Sequence, residues 1–171
     1  VAFAEEFGLK YVLVGAEDAY QITDFLKEHN AKIMLSRTQR LPNRNHEDVA
    51  QPFKTPAILE KAGITYCLML ADSWKVRDLP FQAGQGVPFG LNKEAAVKSL
   101  TLNTAKILGI DKTLGSLEKG KDATIIVSKG DIMDQLTNQV TNAYIRGKQI
   151  DLDNKQKALH RKFKEKYKNQ K

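Results

Sequence analysis

A chain of 171 residues, 42% hydrophobic and 27% charged, has ordinary globular composition and room for one domain, or one and a small second piece. No run reaches the roughly 18 to 20 apolar residues of a membrane span, and one cysteine, Cys67, excludes an internal disulfide and a cysteine-rich zinc cage. The net charge of +7 sits in one place, because Lys155–Lys171 holds eight basic residues and one acid, Glu165, while the rest holds nineteen of each sign. The basicity belongs to a tail, which argues against a nucleic-acid-binding body.

Val1-Ala-Phe-Ala-Glu-Glu-Phe-Gly reads as a helix already under way, stopped at Gly8, with no initiator Met. We therefore expect a fragment of a longer protein, whose localisation the sequence leaves open. Tyr11–Gly15 is a short β-branched strand. Glu17–Asn30 spaces Tyr20, Ile22, Phe25 and Leu26 as a helix does, and Ala31–Ser36 is a second strand. Arg37–Lys54 turns polar and irregular, the length of a functional loop rather than a plain connector. A short helix is expected over Pro56–Ala62, with proline at its start and Gly63 at its end.

Ile64–Leu70 is the third strand, and its apolar run makes Cys67 a buried small hydrophobe. It leads into Asp72, a carboxylate where α/β sheets present chemistry. An acid there binds a metal or takes a proton from water, or simply caps the next turn. Ser73–Leu91 is expected as a loop; its Gly84-x-Gly86 has the wrong spacing and setting for a phosphate cradle. One helix is expected over Asn92–Leu108, with Asn92 as N-cap. Short strands follow at Ala123–Val127, and Val140–Arg146 with Lys148–Ile150 forms a hairpin across Gly147. Leu159, Phe163 and Tyr167 then stripe a basic helix.

Two segments are more specific. Thr101-Leu-Asn-Thr-Ala-Lys-Ile-Leu-Gly, followed by Leu114-Gly-Ser-Leu-Glu-Lys-Gly-Lys-Asp-Ala-Thr-Ile-Ile-Val, resembles the carboxyl-terminal signature of metal-dependent amidohydrolases, such as the imidazolonepropionase-like, dihydroorotase-like and adenine-deaminase-like enzymes. Thr124 stands where that pattern usually has Asp, and Asn142–Ile150 is similar to the family's closing strand pair. The resemblance implies an α/β fold: the carboxyl-terminal part of a (β/α)8 TIM-type barrel over 1–108, about strands six to eight. Strands of a small β-sandwich over 109–151 and a basic C-terminal helix over 152–171 complete it.

Carried over position by position, the resemblance makes Asp72 the strand-eight aspartate, a metal ligand and the proton shuttle of the hydrolytic water. It implies a divalent metal, zinc foremost, in the intact parent, and hydrolysis of C–N bonds in amides or cyclic amides. The histidine ligands of strands one and five would lie upstream of Val1, so the fragment alone is expected to be inactive and without bound metal. Strand six often ends in a metal-binding histidine, but here Gly15-Ala16-Glu17-Asp18 stands there, which puts a standard two-metal site in doubt. Glu17 or Asp18 is a substitute ligand or the first acid of the following helix. The same departure supports an alternative: a non-catalytic, degenerate relative that binds a ligand.

Arg37, Trp74 and Arg77, just beyond strand ends, are substrate-binding candidates, and an arginine there suits a carboxylate. His46 joins them through its loop position, whereas His29 and His160 are poor ligand candidates. The expected partners are a small amide or peptide-like substrate, and either a second copy or the missing amino-terminal part. An open barrel edge invites pairing. Neither nucleic acid nor membrane is expected, because the simplest place for the tail's apolar stripe is against the barrel.

Overall fold

The structure, a computed structural model, describes residues 1–168. It is a mixed α/β chain with two three-stranded sheets. After helix α1 (Ala2–Glu6), strands β1 (Leu13–Gly15), β2 (Ile33–Leu35) and β3 (Tyr66–Leu68) lie side by side in that order, all parallel. Parallel neighbours need crossovers. These are a 3-10 turn at Ala19–Gln21 with α2 (Thr23–Glu28), and then α3 (Gln51–Lys61).

Register decides which side chains meet the helices. Leu13 aligns with Ile33 and Tyr66, and Gly15 with Leu35 and Leu68. Ile33, Leu35, Tyr66 and Leu68 form the core with Leu26 of α2 and Ala57 and Leu59 of α3. With a period of two, Val14, Met34 and Cys67 take the opposite face. Val14 on the edge strand is 63% exposed, while Cys67 is buried as expected.

Four expectations change. The long loop ends earlier than predicted: α3 begins at Gln51, Pro52 lies in its first turn and Pro56 inside it. The ring of Pro56 removes one backbone donor, and the other turns and the packing of Ala57 and Leu59 carry the helix across it. The segment after Asp72 is helical in pieces, with α4 (Leu79–Gly84) flanked by 3-10 turns at Val76–Asp78 and Val87–Phe89. The helix expected over Asn92–Leu108 is two, α5 (Lys93–Leu100) and α6 (Leu102–Leu108), broken at Thr101 with φ −123° and ψ −90°. Hydroxyls of Ser99 and Thr101 donate to the carbonyls of Ala96 and Val97 there, competing with the helical ladder. Asn92 does cap α5, accepting from Glu94 N at 2.8 Å.

The quoted signature acquires a physical sense. Asn103 Nδ2 donates to the carbonyl of Tyr66 at 3.0 Å, satisfying the outer edge of β3. Gly115, at φ +97°, lets the following turn come down on α6, where an added Cβ would stand 2.6 Å from Ala105 Cβ. The chain then forms an antiparallel sheet of β4 (Ile125–Ser128), β5 (Val140–Ile145) and β6 (Lys148–Gln149). The β5–β6 turn has Arg146 and Gly147 both at positive φ, 50° and 76°, the twist that suits a two-residue hairpin.

The fourth correction concerns the tail. It is a helix, α7 (Lys155–Lys168), but no residue of it is buried, so the described residues do not cover the stripe as expected. Among the described residues no helix is long and apolar enough to cross a membrane.

Candidate active site

The carboxyl ends of the three parallel strands open into a cleft of about 590 Å³. Glu17 beyond β1, Ser36, Arg37 and Arg40 beyond β2, and Met69, Asp72 and Lys75 beyond β3 line it. The backbone bond from Met69 N to Leu35 O, 2.9 Å, carries β3 pairing one residue past the strand before the chain turns. Asp72 then sits on that turn. Its Oδ1 accepts from Trp74 N at 2.9 Å and its Oδ2 lies 3.7 Å from Lys75 Nζ. The aspartate thus caps its own turn with one oxygen, and about half of its side chain remains open to the cleft.

The loop between β2 and α3 is held by a polar network. Arg44 grips Asp18 through both guanidinium prongs at 2.7 Å each and reaches Glu47 at 3.0 Å. Tyr20 donates to Glu47 Oε1 at 3.0 Å, and the backbone N–H groups of Asn43 and Arg44 donate to Oε2. The hydrogen bond from Arg44 holds the Asp18 carboxyl below its ordinary range. Burial pushes Glu47 the other way, but the donors of Arg44, Tyr20 and Asn43 prevail and hold it low as well. Arg40 lies 3.4 Å from Glu17 and donates to Leu41 O and Asn43 Oδ1. Glu17 and Asp18 are thus both paired with loop arginines, and Asp18 directly precedes the 3-10 turn Ala19–Gln21.

A second clamp joins the loop after β2 to α4. Thr38 and Gln82 are both buried. Thr38 Oγ1 donates to Gln82 O at 2.7 Å, Gln39 N donates to Gln82 Oε1 at 2.9 Å, and Gln82 Nε2 donates to Gln39 Oε1 at 2.7 Å. This side-chain pairing fixes the cleft's two walls relative to one another. Sequence reading missed Glu17, Arg40, Lys75 and the Thr38–Gln82 clamp in these roles. The polar density of Arg37–Lys54 was the available signal.

Of the residues singled out by sequence, Asp72, Arg37 and Glu17 line the cleft together. Trp74, 78% exposed, lies outside the cleft lining, as do the exposed Arg77 and His46. His29 pairs with Glu5, Nδ1 to Oε1 at 2.8 Å. Among the described residues no three His, Cys, Asp or Glu side chains come together as a metal site. Asp72 offers one ligand where a zinc site needs three or more, so these residues by themselves do not fit the metal.

Comparison with known proteins places this geometry in context. Among solved structures, an amidohydrolase from Thermotoga maritima MSB8 superposes with a TM-score of 0.72 at 29% identity over 88% of this chain and 39% of its own. A Xaa-Pro dipeptidase with bound methionine in its active site gives 0.61 at 18% identity, over 88% of this chain and 47% of its own. An adenosine deaminase from Xanthomonas campestris with bound zinc gives 0.53 at 18%, over 87% and 40%. The two at 18% identity attest the fold alone. This chain spans less than half the length of each. No curated protein sequence matches it. The model of the amidohydrolase family, however, matches residues 64–150, from β3 and Asp72 through the signature to the closing hairpin. That span is half of the chain, and it makes this protein a member of the amidohydrolase family.

Proposed function

We propose that this chain is the carboxyl-terminal part of an amidohydrolase that splits C–N bonds, and that Asp72 is its proton-handling carboxylate. In this reading residues 1–108 supply about the last three strands of the barrel, 109–151 supply strands of the small β-sandwich, and 152–171 are an appended helix. The observation that carries it is the position of Asp72, half open on a cleft at the carboxyl end of the third parallel strand, inside the span that the family model matches. Water adds to the carbonyl carbon, its proton passes to Asp72, and the same proton goes to the departing nitrogen as the C–N bond breaks.

Arg37 is the substrate-binding residue on the opposite wall. Neighbours occupy Arg40, whereas among the described residues no hydrogen bond or ion pair engages the Arg37 guanidinium. It fits a substrate carboxylate, as in an amino-acid amide or peptide. A divalent metal, if bound, takes its remaining ligands from outside these residues, so residues 1–171 alone should neither retain metal in stoichiometric amount nor hydrolyse amides. Pairing with the rest of a barrel, or with a second copy, would cover the open edge of β1.

The test is metal content and hydrolysis of an amide and dipeptide panel by the protein carrying the whole barrel, wild type beside Asp72→Asn. Metal in the wild type, with hydrolysis lost in the variant, supports the proposal. Hydrolysis that survives Asp72→Asn refutes it. The second reading, a non-catalytic binding protein, draws on the commitment of Glu17 to Arg40 and Asn43. Absence of both metal and activity from wild type would favour it.

A further inference from the structure

Helix α7 is formed at its start and bare along its length. Asn154 Oδ1 accepts from Lys157 N at 2.9 Å, an N-terminal cap, and Arg161 Nη1 donates to Asp153 at 2.9 Å. Leu159, Phe163 and Tyr167 follow one another at four-residue spacing and are 41%, 45% and 58% exposed. The rings of Phe163 and Tyr167 lie 6.4 Å apart, stacked along the stripe. Around the rest of the cylinder stand seven basic residues and one acid. Among the described residues no ion pair neutralises Lys155, Lys162, Lys164 or Lys166. At fourteen residues the helix is of marginal stability by itself, and none of its residues is buried.

We infer that α7 docks on an anionic phospholipid surface, lying in its plane with Leu159, Phe163 and Tyr167 turned into the headgroup boundary. Two observations choose that occupant. Six of the protein's seven net positive charges reside in this helix, opposite in sign to such a surface. At 100° per residue Lys155, Lys162 and Lys166 border the apolar stripe, and Lys166 Nζ already stands 5.9 Å from the Tyr167 ring. Flanking lysines snorkel to headgroup phosphates while the stripe enters the acyl boundary. A nucleic acid would use the lysines but has no place for the stripe, since its affinity comes from phosphate contacts. Three apolar side chains are little to insert, so the attachment should depend on charge and weaken with salt.

The experiment is co-sedimentation of the 171-residue protein with vesicles of phosphatidylcholine alone and of equimolar phosphatidylcholine and phosphatidylserine. Binding is expected only to the anionic vesicles. Lys162→Gln with Lys166→Gln should weaken it about 25-fold, at about fivefold for each charge, and Phe163→Gln about tenfold or more. These side chains are exposed, and helix content by circular dichroism confirms that α7 persists in the variants. Three outcomes overturn the inference: no binding to anionic vesicles, binding indifferent to Phe163→Gln, or a Phe163→Gln variant that dissociates an oligomer while vesicle binding stays the same. Duplex DNA bound as tightly, with the same lysine dependence and none on Phe163, would assign the helix to nucleic acid instead.

Discussion

Replacing Gly115 by alanine tests the account of the signature turn, with Gly109→Ala as the internal control. Both glycines sit at positive φ, +97° and +73°. They differ in what a new methyl group meets. At 109 nothing lies within 4 Å, so the substitution costs only the left-handed backbone, about 1–2 kcal/mol. About 0.4–1 kcal/mol of that is offset by the stiffer unfolded chain. At 115 the Cβ would stand 2.6 Å from Ala105 Cβ, 3.0 Å from Leu102 Cα and 3.2 Å from Thr101 O. Two of those three atoms are backbone, so the turn or α6 must move. Overpacking of that kind adds about 1–3 kcal/mol. We expect Gly115→Ala to cost about 1–5 kcal/mol and Gly109→Ala about 0–1.6 kcal/mol, measured by urea unfolding followed by circular dichroism with equal m-values. Equal losses in the two variants would refute the reasoning, because close approach would then contribute nothing.

Three further outcomes follow from the same structure. Among the described residues the buried Tyr66 hydroxyl has no hydrogen-bond partner, so Tyr66→Phe should be neutral or stabilise by up to about 1 kcal/mol in urea unfolding; a clear loss would show a partner in solution. Gln82→Ala should leave Gln39 N without its acceptor and cost about 1–3 kcal/mol, with hydrogen exchange speeding up over 37–50 more than in α5. Asp18 and Glu47 are held below their ordinary values of 3.8 and 4.5. A carboxyl lowered on folding stabilises above its unfolded value and loses that contribution as pH falls through the folded one. The loop should therefore be firm from neutral pH down to about 5 and loosen below about 4, as read by hydrogen exchange, and Arg44→Ala should largely abolish that dependence.

Much of this was legible in residues because it depends on local chemistry. The apolar runs at Tyr11–Gly15, Ala31–Ser36 and Ile64–Leu70 announce strands, and each contains one of the observed, shorter strands. Asn92 as cap and the turn at Gly147 were readable for the same reason, since each acts on its immediate neighbours. The signature from Thr101 to Val127 carried the family.

Tertiary contacts decided the rest. Nothing in Asp18 or Glu17 shows that arginines 26 and 23 residues later will occupy them. Thr38 and Gln82 read as ordinary polar loop residues until the sheet brings them within 2.7 Å across 44 residues. The break at Thr101 depends on hydroxyls competing with a helix that periodicity alone continues. Periodicity likewise reveals the stripe of Leu159, Phe163 and Tyr167 but not what covers it. An amphipathic pattern specifies a face, whereas its partner is specified by the geometry of everything else, and here the described residues leave that face exposed.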